Sequence, residues 1–268
     1  MKKRTNRKPL IVFIIILCVA ILAAVIIRLV QGKQTTDDPQ VPTAEPTEDV
    51  STPTPTETPA QPSSQISVSL DLPPYDGYSF TDSEISLLSN CAFVGDSICS
   101  GLYVYGVLPH DIVVATGNVG IRSIDDYTFE INGGSYNALD SLEIIAPKYV
   151  IFSMGMNDIN MTSEETYCQN YLNMLERTHE RLPLSKLYVA SITPIASTSS
   201  FASNDKINRY NDAVKQAVEA AGYGYVDIAA SLRDSSGGLD ARFSGGDGIH
   251  INKSAYYSIL SDVAKQIG

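Results

Sequence analysis

Four polar segments of this 268-residue chain carry the side chains that could do chemistry. The first is Gly95-Asp96-Ser97, which directly follows the apolar run Ala92-Phe-Val94. A serine in a tight turn at the end of a buried strand can act as a nucleophile if a histidine removes its proton. The same tripeptide is also typical of a helix N-cap, because Asp and Ser both cap helices well.

The other three segments supply the partners that an acyl-transfer site needs: a base, a carboxylate that orients the base, and donors for an oxyanion. His250 is the candidate base, and Asp247 lies three residues before it, where one turn of chain would orient the imidazole. Asn157 offers a side-chain amide donor. Backbone N–H groups at Ser97 and near Ser123 are further candidate donors.

Each of these residues also has a purely structural interpretation. Asp247 could cap the last helix, and His250 could be an ordinary histidine at the start of that helix. Asn157 and Asp158 could be turn residues. Only the convergence of all four segments favours a site.

The chain has three histidines, which limits the other kinds of site. His110 lies in a predicted connecting loop and His179 on a polar helical stretch, so His250 is the only credible base. No group of His, Asp and Glu has the ligand spacing of a metal site. We therefore expect no metal site, and a metal-dependent hydrolase is a remote alternative.

Five short apolar runs predict the strands that would position the four segments. They span 91–94, 112–116, 149–154, 187–192 and 223–228. Helical spacing is found over 82–90, 163–181, 205–221 and 254–267. Buried strands that alternate with helices favour an α/β fold, a three-layer α/β/α domain with a five-stranded parallel sheet. Because sites in such sheets form beyond the carboxyl ends of the strands, we expect the four segments to meet at one edge.

The ordered set Gly95-Asp96-Ser97, Gly155-x-Asn157-Asp158 and Asp247-x-x-His250 resembles the SGNH, or GDSL, hydrolase family. The resemblance extends over residues 90–268. It implies a flavodoxin-like sheet and a serine esterase mechanism without a cofactor. In that mechanism the serine is the nucleophile, the histidine is the base and Asp247 is its partner. The asparagine amide and the Ser97 N–H would both donate to the oxyanion.

This chain departs from the second sequence motif of the family, which usually reads Asn-x-Gly-Ile-x-Gly. Here the chain reads Asn118-Val-Gly120-Ile-Arg-Ser123, with serine at the last position. By alignment, Ser123 supplies the backbone donor that this last glycine usually gives. Gly120 is then expected to serve the turn, since glycine tolerates positive φ. Asp96 and Asp158 are expected to support their own turns.

The first 70 residues are predicted to lie outside the folded domain. Residues 1–9 form a basic tail, and the apolar run over 10–30 is long enough to span a membrane once. The positive flank favours a cytoplasmic N-terminus and an extracytoplasmic remainder. A cleaved signal peptide is the alternative, but no small-x-small cleavage site follows the run. Residues 31–70, rich in Thr, Pro and acidic side chains, predict a disordered stalk before a hydrolase domain over 71–268.

The part of the chain beyond the predicted span is strongly acidic. Six of the 19 basic residues precede residue 31 and all 30 acidic residues follow it, so this part carries a net charge of -17. A nucleic-acid partner is therefore not expected, because phosphate binding needs clustered Lys and Arg. Cys91, Cys99 and Cys168 show no paired spacing and are expected to be buried thiols.

These features support two hypotheses of different classes. The first is a membrane-anchored extracytoplasmic esterase that acts on an acylated cell-envelope glycan or a small ester, with O-acetyl removal as the expected reaction. An O-acyltransferase with the same triad is a related possibility. The second is a catalytically inactive glycan-binding surface domain, against which the retention of all four site residues argues. The connections over 101–111, 122–138 and 195–206 are expected to form the specificity pocket.

Overall fold

The computed structural model describes residues 68–268. Its seven strands, numbered in chain order, are β1 (Cys91–Gly95), β2 (Val113–Ala115), β3 (Phe129–Ile131), β4 (Gly134–Tyr136), β5 (Tyr149–Ser153), β6 (Lys186–Ala190) and β7 (Gly224–Val226). Five of them form a parallel sheet in the order β2-β1-β5-β6-β7. The other two, β3 and β4, form an antiparallel hairpin.

Six α-helices of residues 68–268 surround the sheet. They are α1 (Asp82–Leu88), α2 (Ser97–Val104), α3 (Ala138–Ile145), α4 (Glu164–Arg181), α5 (Asn204–Ala220) and α6 (Lys253–Ile267). Each begins directly after a polar residue whose side chain accepts an N–H of the first turn, which stabilises the helix start. These caps are Thr81, Asp96, Asn137, Ser163, Ser203 and Asn252.

The strand order places the helices in two layers. The chain moves from β1 to one side to form β2, and then returns past β1 to add β5, β6 and β7 on the other side. Because crossovers between parallel strands are right-handed, α2 lies on one face and α3, α4 and α5 lie on the other. Helix α6 joins α2, since Tyr256 donates a hydrogen bond to the Ile98 carbonyl at 2.8 Å. The predicted three-layer α/β arrangement is therefore present.

The order of the strands also creates a topological switch point between β1 and β5. Successive connections from these two strands leave in opposite directions, which opens a crevice at their carboxyl ends. The turn that contains Ser97 follows β1, and the turn that contains Asn157 follows β5. The fold thus brings two of the four polar segments to the place where α/β sheets bind ligands.

The sequence did not reveal α2, α3 or the β3–β4 hairpin. The connections over 101–111 and 122–138, expected to form part of the specificity pocket, therefore contain regular structure. Helix α2 includes Gly101 and two β-branched residues, which have low helix propensity. The hairpin turns at Asn132 and Gly133, with φ of 50° and 76°. Asn-Gly is a strong hairpin signal that the sequence did carry.

The predicted basic tail and membrane span, and most of the predicted stalk, lie outside the described residues. Over 68–268, no helix is long and apolar enough to cross a membrane. Leu70, the last residue of the predicted stalk, is 8% exposed and belongs to the hydrophobic core. Packing against the core thus begins slightly before residue 71.

The three cysteines of the described part of the chain are free thiols. Cys91 and Cys99 are buried, as expected, whereas Cys168 is half-buried. Burial raises the pKa of Cys91 to about 12, so this thiol stays protonated at neutral pH.

Candidate active site

The strand-to-helix turn after β1 presents Ser97 at the first position of α2. Asp96 is the N-cap of that helix, is 2% exposed, and accepts the Ile98 N–H at 2.9 Å. A Cβ at Gly95 would lie 2.3 Å from both the Cys99 Cβ and the Ser153 carbonyl oxygen, so the turn has room only for glycine. The helix-cap interpretation of this segment is therefore right for Asp96, and it leaves the Ser97 hydroxyl free for another role.

His250 links Ser97 to Asp247 through its two ring nitrogens. His250 Nε2 lies 3.0 Å from Ser97 Oγ, and His250 Nδ1 lies 2.6 Å from Asp247 Oδ2. Since Asp247 can only accept, the proton is assigned to Nδ1, and Nε2 is left as the acceptor for the serine hydroxyl. The structure thus brings the three predicted catalytic residues into one hydrogen-bonded chain.

The Asp247 carboxylate is fixed by its own turn. Its Oδ1 accepts the N–H groups of Ile249 at 2.9 Å and His250 at 2.8 Å. The hydrogen bond from the His250 ring, together with these N–H groups, lowers the pKa of Asp247 to about 2. Asn252 caps α6, so the structural interpretation of Asp247 as the cap of the last helix is wrong.

Ser97 also offers a backbone donor beside its own hydroxyl. As the first residue of α2, its N–H has no acceptor within the helix. Asp96 takes the Ile98 N–H, and the Asp96 carbonyl takes that of Ser100. Among the described residues, no group accepts the Ser97 N–H, which therefore remains available at the positive end of the helix.

Asn157 joins the turn after β5 to the loop after β2. Its Nδ2 donates to the carbonyl oxygens of Gly117 at 3.2 Å and Val119 at 2.9 Å. Both protons of the amide are therefore engaged, and an oxyanion would have to compete for one of them. The longer bond, to Gly117, is the one that would open more easily. The oxyanion role of Asn157 stays a prediction.

Ser123 is not placed to donate to an oxyanion. Its N–H donates to the Gly120 carbonyl at 3.0 Å and closes the first turn of a 3₁₀ helix over Ile121–Asp126. The predicted role of this N–H is therefore not supported, because the group is already used inside its own turn. The Gly120 N–H has only a long contact, 3.4 Å to Ser123 Oγ, and is the more available donor of this loop.

Gly120 is required for a different reason than the one expected. Its φ is -130°, which any residue adopts, so the turn does not depend on positive φ. A Cβ at this position would instead lie 2.6 Å from both carboxylate oxygens of Asp158. Glycine is needed here because a buried carboxylate approaches the backbone closely.

Asp158 connects the turn after β5 to the loop after β2. Its side chain is fully buried, with 0% exposure. It accepts the N–H of Ile121 at 2.9 Å and that of Arg122 at 3.2 Å, and it pairs with the Arg122 guanidinium at 3.1 Å. The sequence predicted Asp158 as a turn support but gave no sign of Arg122.

Three other features that the sequence analysis considered are a connection near the site, a second histidine and metal-ligand clusters. The connection over 195–206 contacts the catalytic turn, because the Ala196 N–H donates to the Gly248 carbonyl at 2.8 Å. His110 packs edge-on against Tyr103, with ring centroids 4.4 Å apart. Within residues 68–268, no group of three or more His, Cys, Asp or Glu side chains could hold a metal ion.

A family model described as GDSL-like lipase/acylhydrolase matches residues 93–257, which include all of these site residues. No curated protein sequence matches the chain.

Solved structures share the fold at low identity. One, described as a candidate platelet activating factor from Streptococcus pneumoniae, has a TM-score of 0.53 and 19% identity, and the match covers 67% of this chain and 84% of that one. A GDSL-like lipase from Bacteroides thetaiotaomicron has a TM-score of 0.50 and 15% identity, and the match covers 66% of this chain and 86% of that one.

The family match spans more than half of the sequence. The chain therefore belongs to the GDSL-like lipase/acylhydrolase family and is a serine hydrolase that acts on ester bonds.

Proposed function

We propose that this protein is a membrane-anchored, extracytoplasmic esterase that removes O-acetyl groups from a cell-envelope glycan, with Ser97, His250 and Asp247 as its triad. The observation that carries the proposal is the unbroken hydrogen-bonded path from Ser97 Oγ through the imidazole to Asp247, with distances of 3.0 and 2.6 Å. This is the arrangement that acyl transfer by a serine requires.

The proposed reaction has two halves. In the first, His250 Nε2 takes the Ser97 Oγ proton while Oγ attacks the ester carbonyl, and Asp247 stabilises the imidazolium that forms. The imidazolium then gives its proton to the leaving alcohol oxygen, which leaves an acyl-serine. In the second half, His250 activates water, which attacks the acyl carbon and releases the acid and free Ser97.

The oxyanion that forms in each half needs donors already in place. The Ser97 N–H at the start of α2 is one, and the Gly120 N–H from the loop after β2 is a second. Asn157 becomes a third donor if its bond to the Gly117 carbonyl opens.

The exposure of the triad supports an ester whose alcohol part is large. The side chains of His250 and Asp247 are 47% and 53% exposed, which suits access by a bulky polymer.

The cellular placement follows from the residues before the folded part. The apolar run over 10–30 would anchor the chain, and the basic tail over 1–9 would keep the N-terminus in the cytoplasm. Protease added to intact cells should then degrade the esterase domain, whereas protection of the domain in intact cells would contradict this placement.

Covalent labelling tests the triad. In detergent extracts of the full chain, a fluorophosphonate probe should label the wild type and His179→Ala, fail to label Ser97→Ala, and label His250→Ala far more slowly. His179 is a matched control, because it lies at the end of α4, away from the site. A wild-type protein that resists the probe, or a Ser97→Ala variant that is still labelled, would overturn the assignment.

Product analysis tests the substrate and separates the related activities. We expect acetate release from acetylated glycans and from p-nitrophenyl acetate, and slow turnover of p-nitrophenyl esters with long acyl chains. Acetyl groups recovered on a second sugar would instead identify an acyltransferase. Glycan binding without labelling or acetate release would identify the inactive binding domain.

A further inference from the structure

A buried carboxylate lies against the loop after β2, which carries one of the proposed oxyanion donors, the Gly120 N–H. The Asp158 carboxylate, 0% exposed, touches the backbone of the loop that carries the Gly120 N–H and follows Asn157 in the chain. A charge in such a poorly solvated position acts strongly on its neighbours. Burial raises the pKa of Asp96 at the start of α2, and the Asp158 carboxylate adds to that rise.

Left unbalanced, this charge would oppose catalysis. The tetrahedral intermediate places a new negative charge near the donors of the same loop, and like charges repel. The repulsion is absent from the neutral ester, so it would raise the barrier without weakening substrate binding.

Arg122 supplies the balancing positive charge. One guanidinium nitrogen, Nη1, donates both to Asp158 Oδ1 at 3.1 Å and to the Asn157 carbonyl oxygen at 2.7 Å. The ion pair with Arg122 is the only one that Asp158 makes within the described part of the chain. The same side chain therefore neutralises the buried carboxylate and ties the Asn157 turn to the loop after β2.

We propose that Arg122 is a positioning residue of the esterase. It neutralises the charge of Asp158 behind the Gly120 N–H, and it holds the turn after β5, which contains Asn157, against the loop after β2. The proposal rests on the proposed function. It places the effect of Arg122 on the transition state rather than on substrate binding.

A matched control is an ion pair that the same 3₁₀ helix makes with α4. Asp125, three residues after Arg122, forms a two-pronged ion pair with Arg177 of α4, with distances of 2.8 and 2.9 Å. Both partners are substantially exposed, and Arg177 contacts neither Asn157 nor Asp158. Loss of this pair removes a tie on the same helix but leaves the buried charge balanced.

Steady-state kinetics of the full chain with p-nitrophenyl acetate tests the proposal. Arg122→Gln should lower kcat by roughly tenfold or more with KM nearly unchanged. Arg122→Lys should recover part of that loss, and Arg177→Gln should match the wild type. Equal losses in the Gln variants of Arg122 and Arg177, or an effect of Arg122→Gln on KM alone, would overturn the role.

A second variant separates charge from simple loop support. Adding Asp158→Asn to Arg122→Gln removes the unbalanced charge, so kcat of the double variant should rise above that of Arg122→Gln. A further fall in a double variant that keeps a wild-type Tm would contradict the charge balance. If the double variant does not fold, recovery of kcat by Arg122→Lys decides, and its absence rejects the role.

The proposed function is judged separately. A wild type that neither reacts with fluorophosphonate nor hydrolyses the ester overturns the function and this role together. An active wild type with an equally active Arg122→Gln overturns only the role of Arg122.

Discussion

His250 Nε2 lies 3.0 Å from Ser97 Oγ although 153 positions separate the two residues in the chain. The serine starts the helix after the first strand, and the histidine precedes the last helix. Their contact depends on the packing of α2 against α6, which the Tyr256 hydroxyl fixes by its bond to the Ile98 carbonyl.

Asp247→Asn should lower kcat by on the order of 10⁴-fold, because the amide no longer holds the imidazole in the required tautomer. Asp240→Asn is the matched control, since Asp240 caps a nearby short turn and does not contact the imidazole. Initial rates with p-nitrophenyl acetate provide the measurement. Comparable losses of kcat in both variants would show that Asp247 only stabilises its own turn and does not orient the imidazole.

Asp96 should make the protein less stable as the pH rises from about 4 to about 6. Burial raises the pKa of Asp96 from 3.8 to about 6, so in this window the folded state holds a proton that the unfolded state has released. The free energy of unfolding therefore falls with rising pH, by up to about 3 kcal/mol for this group.

The Asp96→Asn variant isolates this effect, because asparagine also caps helices well. Urea unfolding of the wild type and the variant at several pH values gives the difference between their free energies of unfolding. We expect the wild type to lose stability relative to the variant between pH 4 and 6. A difference that is flat across this range would mean that Asp96 stays ionised in the folded protein.

Gly120→Ala should lower kcat, because it should displace the loop after β2 that carries the proposed Gly120 N–H donor. Its Cβ would lie 2.6 Å from both oxygens of the buried Asp158 carboxylate, so the loop must move. A displacement of about 1 Å near the reacting atoms costs roughly 100-fold in rate. In Gly117→Ala, the matched control in the same loop, the Cβ meets nothing within 4 Å. Measurement of kcat and Tm for both variants checks the prediction, and equal kcat values would refute it.

Tyr256→Phe should destabilise the fold by about 1 kcal/mol, because the buried Ile98 carbonyl loses the hydroxyl that satisfies it. Tyr105→Phe is the control, since Tyr105 is 41% exposed. Chemical denaturation gives the two free energies of unfolding. A destabilisation of equal size in both would argue that the Tyr256 hydroxyl has no particular role.

The sheet was predictable because its strands lie largely within short apolar runs of the sequence. Strand β1 is buried at every position, and the long helices α4 and α5 follow recognisable caps at Ser163 and Ser203. Helix α2 escaped prediction because its sequence has little helix propensity of its own. It is held instead by tertiary packing, since Gly101 lies directly against the Tyr256 ring.

The site was predictable where residue type alone limits the chemistry. Ser97, Asp247 and His250 belong to short motifs, and the chain offers few other histidines. Arg122 was not predictable, because its partner Asp158 lies 36 residues away and their pairing exists only in the folded chain. The same contact explains why the reason for Gly120 was misjudged. Its constraint comes from a distant carboxylate and not from local backbone geometry.

The placement of His250 after all five strands of the sheet has a consequence for the timing of activity during synthesis. A chain still attached to the ribosome can already contain all five strand segments and Ser97 while its base is absent. Such an intermediate would be inert toward esters, since the serine alone is a weak nucleophile. Catalytic competence would thus arrive in a single late step, when α6 packs against α2 and the imidazole reaches Ser97.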